Sequence, residues 1–125
     1  MLFLVTNLAL LSCEAVSSQS ISLVTPKEVL ELLESNGGPL ILDVRTKKEF
    51  DSGHVPGAVN IPLRQVAGKL DELQKYSERG IIVYCESGGR SRRAIQALSD
   101  SGFKNLDQID GDMAAWRRAG LPVEH

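Results

Sequence analysis

Two short runs of the sequence are apolar at every position. They are Leu40-Ile41-Leu42 and the longer run Ile81-Ile82-Val83-Tyr84-Cys85. A strand with one face in water alternates apolar and polar residues, so a run without polar positions predicts a strand covered on both faces. Segments with helical spacing lie between such runs. The sequence therefore predicts an α/β fold, with a central, mostly parallel sheet flanked by helices on both faces.

Further elements complete this pattern beyond residue 20. Short strands are predicted near residues 21–23, within 53–62 and over 105–109, which gives a sheet of five strands. Helices are indicated by capping residues and apolar spacing. They are predicted after Thr25-Pro26-Lys27-Glu28, over Thr46 to Asp51, along the face of Val66, Leu70 and Leu73, from near Ser91 to a cap at Gly102, and around Met113 to Trp116.

Size, charge and cysteine content limit the classes of function. The chain has 125 residues, a net charge of -2 and a pI near 5.7. One domain over residues 21–125 fits this length, with a monomer as the default, and no large basic face for nucleic acid is indicated. Cys13 and Cys85 are too few for a disulfide scaffold and lack the spacing of a zinc site. We therefore expect no metal.

Residues 1–20 form an apolar segment followed by a short polar linker. Residues 1–11 are nearly all apolar, but they are fewer than the ~20 needed to span a bilayer. The segment is typical of an export signal, and Leu10-Leu11-Ser12-Cys13 resembles a bacterial lipobox, in which the cysteine is lipidated after cleavage. The protein is then periplasmic or a membrane-tethered lipoprotein. The alternative is a cytoplasmic protein with an apolar extension, because no Lys or Arg precedes Cys13.

The segment Cys85-Glu86-Ser87-Gly88-Gly89-Arg90-Ser91 joins a predicted strand to a predicted helix. Two adjacent glycines let the backbone curl, so that loop N–H groups and the helix N-terminus point toward the cysteine sulfur. Such a cradle stabilises a thiolate and makes Cys85 a candidate nucleophile. The alternative is a buried cysteine that only ends a core strand.

The charged residues of this loop have opposing expected effects. Arg90 could direct its guanidinium at an anionic substrate, or could simply be solvated at the start of the helix. Glu86 places a negative charge beside an anion site and acts against the binding of an anion there. Its role is not explained by the sequence.

With these residues the chain resembles a single-domain rhodanese, or thiosulfate sulfurtransferase, over residues 21–123. Four segments carry the resemblance: Leu42-Asp43-Val44-Arg45 with Glu49-Phe50, Gly53-His54-Val55-Pro56-Gly57-Ala58-Val59-Asn60-Ile61-Pro62, the loop from Cys85 to Ser91, and Gly111 with Trp116. The resemblance implies the rhodanese-like fold and an active-site loop of six residues, from Cys85 to Arg90. Related phosphatases carry one more residue in this loop.

The resemblance also implies a function. Cys85 would take a sulfane sulfur from thiosulfate or another persulfide donor, become a persulfide, and pass the sulfur to cyanide or a thiol. The implied cycle uses no metal and no organic cofactor. The expected substrate-binding residues are those of the loop: Glu86, Ser87, Gly88, Gly89, Arg90 and Ser91. One alternative is a non-enzymatic sulfur-carrier, sensing or anion-binding module on the same fold. Another is a phosphatase or arsenate reductase.

Three further expectations concern residues outside the loop. The resemblance suggests that Asp43, Arg45 and Glu49 form a structural ion-pair network. His54 is expected to fix a turn by hydrogen bonding. Asp112 stands where many relatives have a second glycine, and we expect it to affect the turn more than the site.

Overall fold

The computed structural model describes residues 21–125. The predictions for residues 1–20, including an export signal and lipidation of Cys13, lie outside these residues. Five strands form a single sheet in the order β1-β5-β4-β2-β3, and every neighbouring pair is parallel. The strands are β1 (Leu23–Val24), β2 (Leu40–Asp43), β3 (Val59–Asn60), β4 (Ile81–Tyr84) and β5 (Leu106–Ile109). The prediction of a mostly parallel five-stranded sheet is confirmed.

Helices connect the strands. They are α1 (Pro26–Leu32), α2 (Lys47–Asp51), a 3₁₀ helix (Leu63–Gly68), α3 (Leu70–Gln74), α4 (Gly89–Asp100) and α5 (Asp112–Arg118). The expected N-cap at Thr25 is present, since its hydroxyl accepts from the Glu28 N–H. Thr46 and Glu49 form a capping box at the start of α2. Short-range capping signals thus place the first two helices as predicted.

One predicted helix is divided. Val66 and Leu73 are both buried, as the apolar spacing predicted, but they belong to the 3₁₀ helix and to α3, respectively. The 3₁₀ helix ends at Gly68, a poor helix former, and Lys69 leaves the helical region with φ -117°. The apolar spacing therefore identified the buried face but not the break between the two helices.

Two apolar clusters cover the sheet, one on each face. Side chains of β4 alternate between them, because successive residues of a strand point to opposite faces. Ile81, Val83 and Cys85 pack in the cluster that contains residues of α4. Ile82 and Tyr84 pack in the cluster that contains residues of α1 and α5. This arrangement explains why β4 has no polar position.

The carboxyl ends of the parallel strands meet at one edge of the sheet. The register pairs Asp43 of β2 with Tyr84 of β4, so Arg45 and Cys85 follow their strands close together. The segment after β5 begins at the same edge and leads into α5. In open α/β sheets this edge is where ligands bind, and the predicted loop lies on it.

Candidate active site

Cys85 follows the last residue of β4, and its position is fixed from both sides of its backbone. Its N–H donates to Asp112 Oδ1 at 2.9 Å, and its carbonyl accepts from the Met113 N–H at 3.0 Å. The residue is 1% exposed. The start of α5 therefore holds the cysteine in place, and the sulfur is directed into the loop that follows.

The loop turns around the sulfur of Cys85. Gly88 has φ 120°, a conformation that residues with a Cβ rarely adopt, and its N–H donates to Cys85 Sγ at 3.1 Å. A Cβ on Gly88 would also lie 3.2 Å from both Asp112 Oδ2 and Gln108 Nε2. Ser91 Oγ lies 3.5 Å from Sγ. Gly88 is thus the residue whose backbone freedom lets an amide reach the sulfur.

The loop differs in one respect from the predicted cradle. Among residues 21–125, one backbone amide, that of Gly88, donates a hydrogen bond to Sγ. The helix begins at Gly89, two residues before the predicted start, because Gly88 takes the N-cap position. The N-terminus of α4 therefore directly follows the amide that contacts the sulfur.

Arg90 is engaged by a residue from another element. Its guanidinium makes two hydrogen bonds to the carboxylate of Glu49, at 2.6 and 2.9 Å. The bonds from Arg90 lower the pKa of Glu49 to about 2, and the same partner raises the pKa of Arg90. Both side chains are 34% exposed. Arg90 is therefore an oriented cation at the mouth of the loop, paired with Glu49.

Glu86 lies at the other end of the loop, where it contacts α5. Its carboxylate pairs with the Arg117 guanidinium, and its carbonyl accepts from the Ala114 N–H at 3.1 Å. The negative charge that the sequence left unexplained is thus balanced by Arg117. Glu86 fastens the first half of the loop to α5.

Ser87 lies on a cavity that also borders Asp112. It lines a cavity of about 480 Å³ together with residues of β1, α4 and the β5–α5 connection. The other lining residues are Ile21, Leu23, Arg92, Gln108, Asp110, Gly111 and Asp112. The loop residues predicted to bind substrate are therefore divided between the surroundings of the sulfur and this cavity.

Asp112 is the site residue that the sequence analysis placed incorrectly. It was expected to affect the turn, yet its carboxylate accepts from the Cys85 N–H, from Ser91 Oγ at 2.8 Å and from Gln108 Nε2 at 2.9 Å. It is buried and has φ 56°, a conformation that aspartate tolerates better than most residues. The signal in the sequence was a carboxylate in place of glycine.

The expected ion-pair network has a different membership. Asp43 and Arg45 form a buried pair at 2.8 Å, as predicted. Glu49 does not join them, because its carboxylate points to Arg90 and to the cap at Thr46. His54 fixes its turn as expected, with Nδ1 2.8 Å from the Phe50 carbonyl and its ring stacked on Phe50.

Two features are absent from the described part of the chain. Residues 21–125 contain no group of three or more His, Cys, Asp or Glu side chains arranged to hold a metal ion. Within the same residues, no helix has both the length and the apolar character to cross a bilayer.

Comparison with known families and structures gives a consistent result. A model of the rhodanese-like domain matches residues 25–119. A solved rhodanese-related protein from Thermoplasma volcanium superimposes with a TM-score of 0.72 at 27% identity, covering 84% of this chain and 98% of that one.

Two curated relatives differ in how much of their length is matched. Thiosulfate sulfurtransferase 16 of Arabidopsis thaliana, a chloroplastic protein, is 40% identical over 97 residues, which cover 70% of this chain and 81% of the relative. An HTH-type transcriptional regulator of Mycobacterium tuberculosis is 36% identical over 103 residues. That match covers 81% of this chain but only 44% of the regulator. The same kind of domain thus occurs both as most of one protein and as less than half of another.

Proposed function

Because the chain belongs to the rhodanese-like domain family, we propose that it is a sulfurtransferase that carries sulfur as a persulfide on Cys85. The family and the name of the plant relative support sulfur transfer in general. Thiosulfate as donor, cyanide or a thiol as acceptor, and the persulfide itself are the specific parts of the proposal. The observation that carries it is the hydrogen bond from the Gly88 N–H to Cys85 Sγ, in a loop between a buried strand and a helix N-terminus.

The first half-reaction is a displacement at sulfur. The Cys85 thiolate attacks the outer sulfur of thiosulfate, a new S–S bond forms, and the bond between the two thiosulfate sulfurs breaks as sulfite leaves with the electron pair. The Gly88 amide and the N-terminus of α4 favour the anionic sulfur before and after this step. The product is a persulfide on Cys85.

The second half-reaction returns the cysteine. Cyanide attacks the outer sulfur of the persulfide and leaves as thiocyanate, or a thiolate attacks it and leaves as a new persulfide. In both cases the Cys85 thiolate is the leaving group, and no external oxidant or reductant is required. The cycle is of the ping-pong type.

The binding of an anionic donor is assigned to Arg90 at the mouth of the loop. Its guanidinium is oriented by Glu49 and has exposed surface left for a second anion. Glu86 is balanced by Arg117, so it opposes a dianionic donor less than an unpaired carboxylate would. The loop therefore offers one oriented cation beside the sulfur.

The test is sulfur loading followed by its removal. Purified protein incubated with thiosulfate should gain the mass of one sulfur atom per chain, and cyanide should reverse the gain with release of thiocyanate. Cys85→Ser should abolish loading, whereas Cys13→Ser, which removes the other cysteine, should not. A protein that gains no sulfur from thiosulfate or from a persulfide donor would contradict the proposal.

A second candidate function is a sensing module that keeps its sulfur. The occurrence of a similar domain within a transcriptional regulator of Mycobacterium tuberculosis supports it. Thiocyanate release under excess thiosulfate and cyanide distinguishes the two functions. An enzyme produces many equivalents per chain, whereas a sensor that keeps its sulfur resists cyanide and produces less than one equivalent per chain.

A further inference from the structure

Asp112 is a buried carboxylate that the proposed sulfur chemistry does not use. It is 1% exposed, and among residues 21–125 no cation forms an ion pair with it. Its oxygens accept three hydrogen bonds, the pattern of an ionised carboxylate, which can only accept. A buried charge compensated by neutral donors alone is costly. Its position behind Cys85 therefore calls for an explanation.

The hydroxyl of Ser91 links this carboxylate to the reacting sulfur. Ser91 Oγ is 2.8 Å from Asp112 Oδ1 and 3.0 Å from the Gly88 carbonyl, and Cys85 Sγ lies 3.5 Å from the same oxygen. A hydroxyl has one hydrogen to donate. The carboxylate is the nearer and the charged acceptor, so the hydrogen lies on Asp112. Donation to Gly88 instead would also direct the hydrogen away from the sulfur.

Ser91 therefore presents a lone pair to Cys85. An oxygen lone pair stabilises a neighbouring thiol, which can donate its proton to it. The same lone pair destabilises a thiolate by repulsion. For Ser91 to donate to a thiolate, its hydroxyl would have to give up the bond to Asp112. The geometry at this one oxygen thus favours the thiol.

Most of the other charges around Cys85 occur as pairs. Arg90 at the start of α4 is paired with Glu49 of α2, and Glu86 is paired with Arg117 of α5. Asp43 of β2, farther from the sulfur, is paired with Arg45. The Gly88 amide and the N-terminus of α4 favour the anion. Arg92 of α4 and Asp110 line the cavity that Asp112 also borders, and a Cβ on Gly88 would lie 3.9 Å from Arg92 Nη2. Asp112 opposes the anion, and no ion pair among residues 21–125 joins it to Arg92 or to another cation.

We propose that Asp112 is a positioning residue that holds Ser91 as a hydrogen-bond acceptor and, with its own charge, favours the thiol of Cys85 over the thiolate. The assignment deepens the proposed function, because it takes Cys85 Sγ as the reacting atom. It moves the pH range in which the sulfur becomes reactive upward, relative to the loop alone. A smaller thiolate fraction also lowers the rate at which Cys85 is oxidised.

Asp112→Asn is a well-matched variant. Asparagine tolerates the positive φ of 56° as aspartate does. Its carbonyl oxygen can accept from the Cys85 N–H and from Ser91, as Oδ1 does now. Its amide can donate to Gln108 after the Gln108 amide turns over, because Gln108 Oε1 is buried without a hydrogen-bond partner. The variant therefore removes the charge and preserves the hydrogen-bonded frame.

The experiment measures the alkylation rate of Cys85 by iodoacetamide across pH, followed on the peptide that contains Cys85. We expect Asp112→Asn to move the half-maximal pH downward by about one unit, and to raise the rate about tenfold below the midpoint. Asp110→Asn makes the same chemical change two residues away on an exposed side chain. It should leave the profile unchanged.

Two outcomes would overturn the inference. A profile that does not move in Asp112→Asn would make the residue merely structural. A move to higher pH would make it a proton acceptor acting through Ser91. Asp112→Gly, which also suits a positive φ, should move the profile to lower pH as Asp112→Asn does. It replaces the asparagine variant in the test if that variant does not fold. Alkylation requires no sulfur donor, so failure of sulfur loading leaves this test intact.

Discussion

Two arginine–carboxylate pairs lie beside the candidate active site, and they differ in their contact with water. In the first pair, Arg45 and Asp43 are 1% and 0% exposed. In the second, Arg90 and Glu49 are both 34% exposed. Both pairs are bidentate, so the geometry of the contact is similar. The two pairs differ in the free energy needed to separate the arginine from the carboxylate.

The buried pair is part of the frame that carries the loop. Arg45 also donates to the Gly53 carbonyl at 2.8 Å and lies 5.6 Å from the centre of the Tyr84 ring. Burial acts to lower the pKa of Arg45, but the hydrogen bonds and charge of Asp43 outweigh it and the pKa is raised. A buried ion pair contributes little net stability while intact, yet loss of one partner leaves an uncompensated charge.

The exposed pair can be opened at small cost. Water and salt screen its charges, and pairs of this kind contribute roughly 0 to 1 kcal/mol. An anion at the loop can therefore compete with Glu49 for Arg90. The comparison indicates that the first pair holds the site together and that the second can take part in binding.

The largest effect is expected from the buried pair. Arg45→Met should lower the free energy of unfolding by about 3 to 5 kcal/mol, because Asp43 is then left buried without a counter-charge. Arg90→Met should lower it by about 1 kcal/mol or less. Urea denaturation of both variants measures the difference.

A double variant separates charge from packing in this prediction. Asp43→Asn with Arg45→Met removes the stranded carboxylate, so it should recover part of the stability that Arg45→Met loses. A double variant as unstable as Arg45→Met would show that lost packing, and not the unpaired charge, causes the destabilisation.

The next effect concerns the binding of thiosulfate. Arg90→Gln should raise the KM for thiosulfate about tenfold, which corresponds to about 1.4 kcal/mol of a charge-assisted contact. Glu49→Gln should lower KM about threefold, because it releases Arg90 from competition. Steady-state rates of thiocyanate formation give both values, with kcat changing less than KM. An unchanged KM in both variants would show that Arg90 does not contact the donor.

The sequence predicted the frame of the site better than its contacts. Local patterns sufficed for the sheet, because an all-apolar run such as β4 must be covered on both faces wherever it lies. The short helix that starts at Thr46 was predictable for the same reason, since the residues that cap it are three positions apart. Cys85 and its loop were likewise proposed as a site from neighbouring residues, whereas the Asp43–Arg45 pair was expected from the resemblance to the family.

Contacts between distant residues were not readable in this way. Glu49 and Arg90 are 41 positions apart, and Cys85 and Asp112 are 27 apart. Which arginine a carboxylate meets depends on how the strand ends are aligned, and propensities and spacing do not contain that information. Asp112 was misplaced because its role follows from the parallel pairing of β4 with β5, which brings the start of α5 behind the cysteine.

The smallest effect is the pH dependence of the exposed pair. The bonds from Arg90 lower the pKa of Glu49 from 4.5 to about 2. Because the folded-state pKa is the lower one, the contribution of Glu49 to stability is fully present above pH 4.5 and is lost as the pH falls toward 2. Glu49 is partly exposed, so screening limits this contribution to about 1 kcal/mol or less. A double-mutant cycle with Glu49→Gln and Arg90→Gln, measured by urea denaturation at pH 6 and near pH 2, isolates it. The coupling energy should be positive at pH 6 and near zero at pH 2.

The Lys47–Asp51 pair on the same helix, with side chains 79% and 54% exposed, is the matched control and should show little coupling at either pH. Equal coupling for the two pairs at pH 6 would mean that Glu49 and Arg90 behave as an ordinary surface pair, and the distinction between an oriented cation at the loop and a solvated one would be lost.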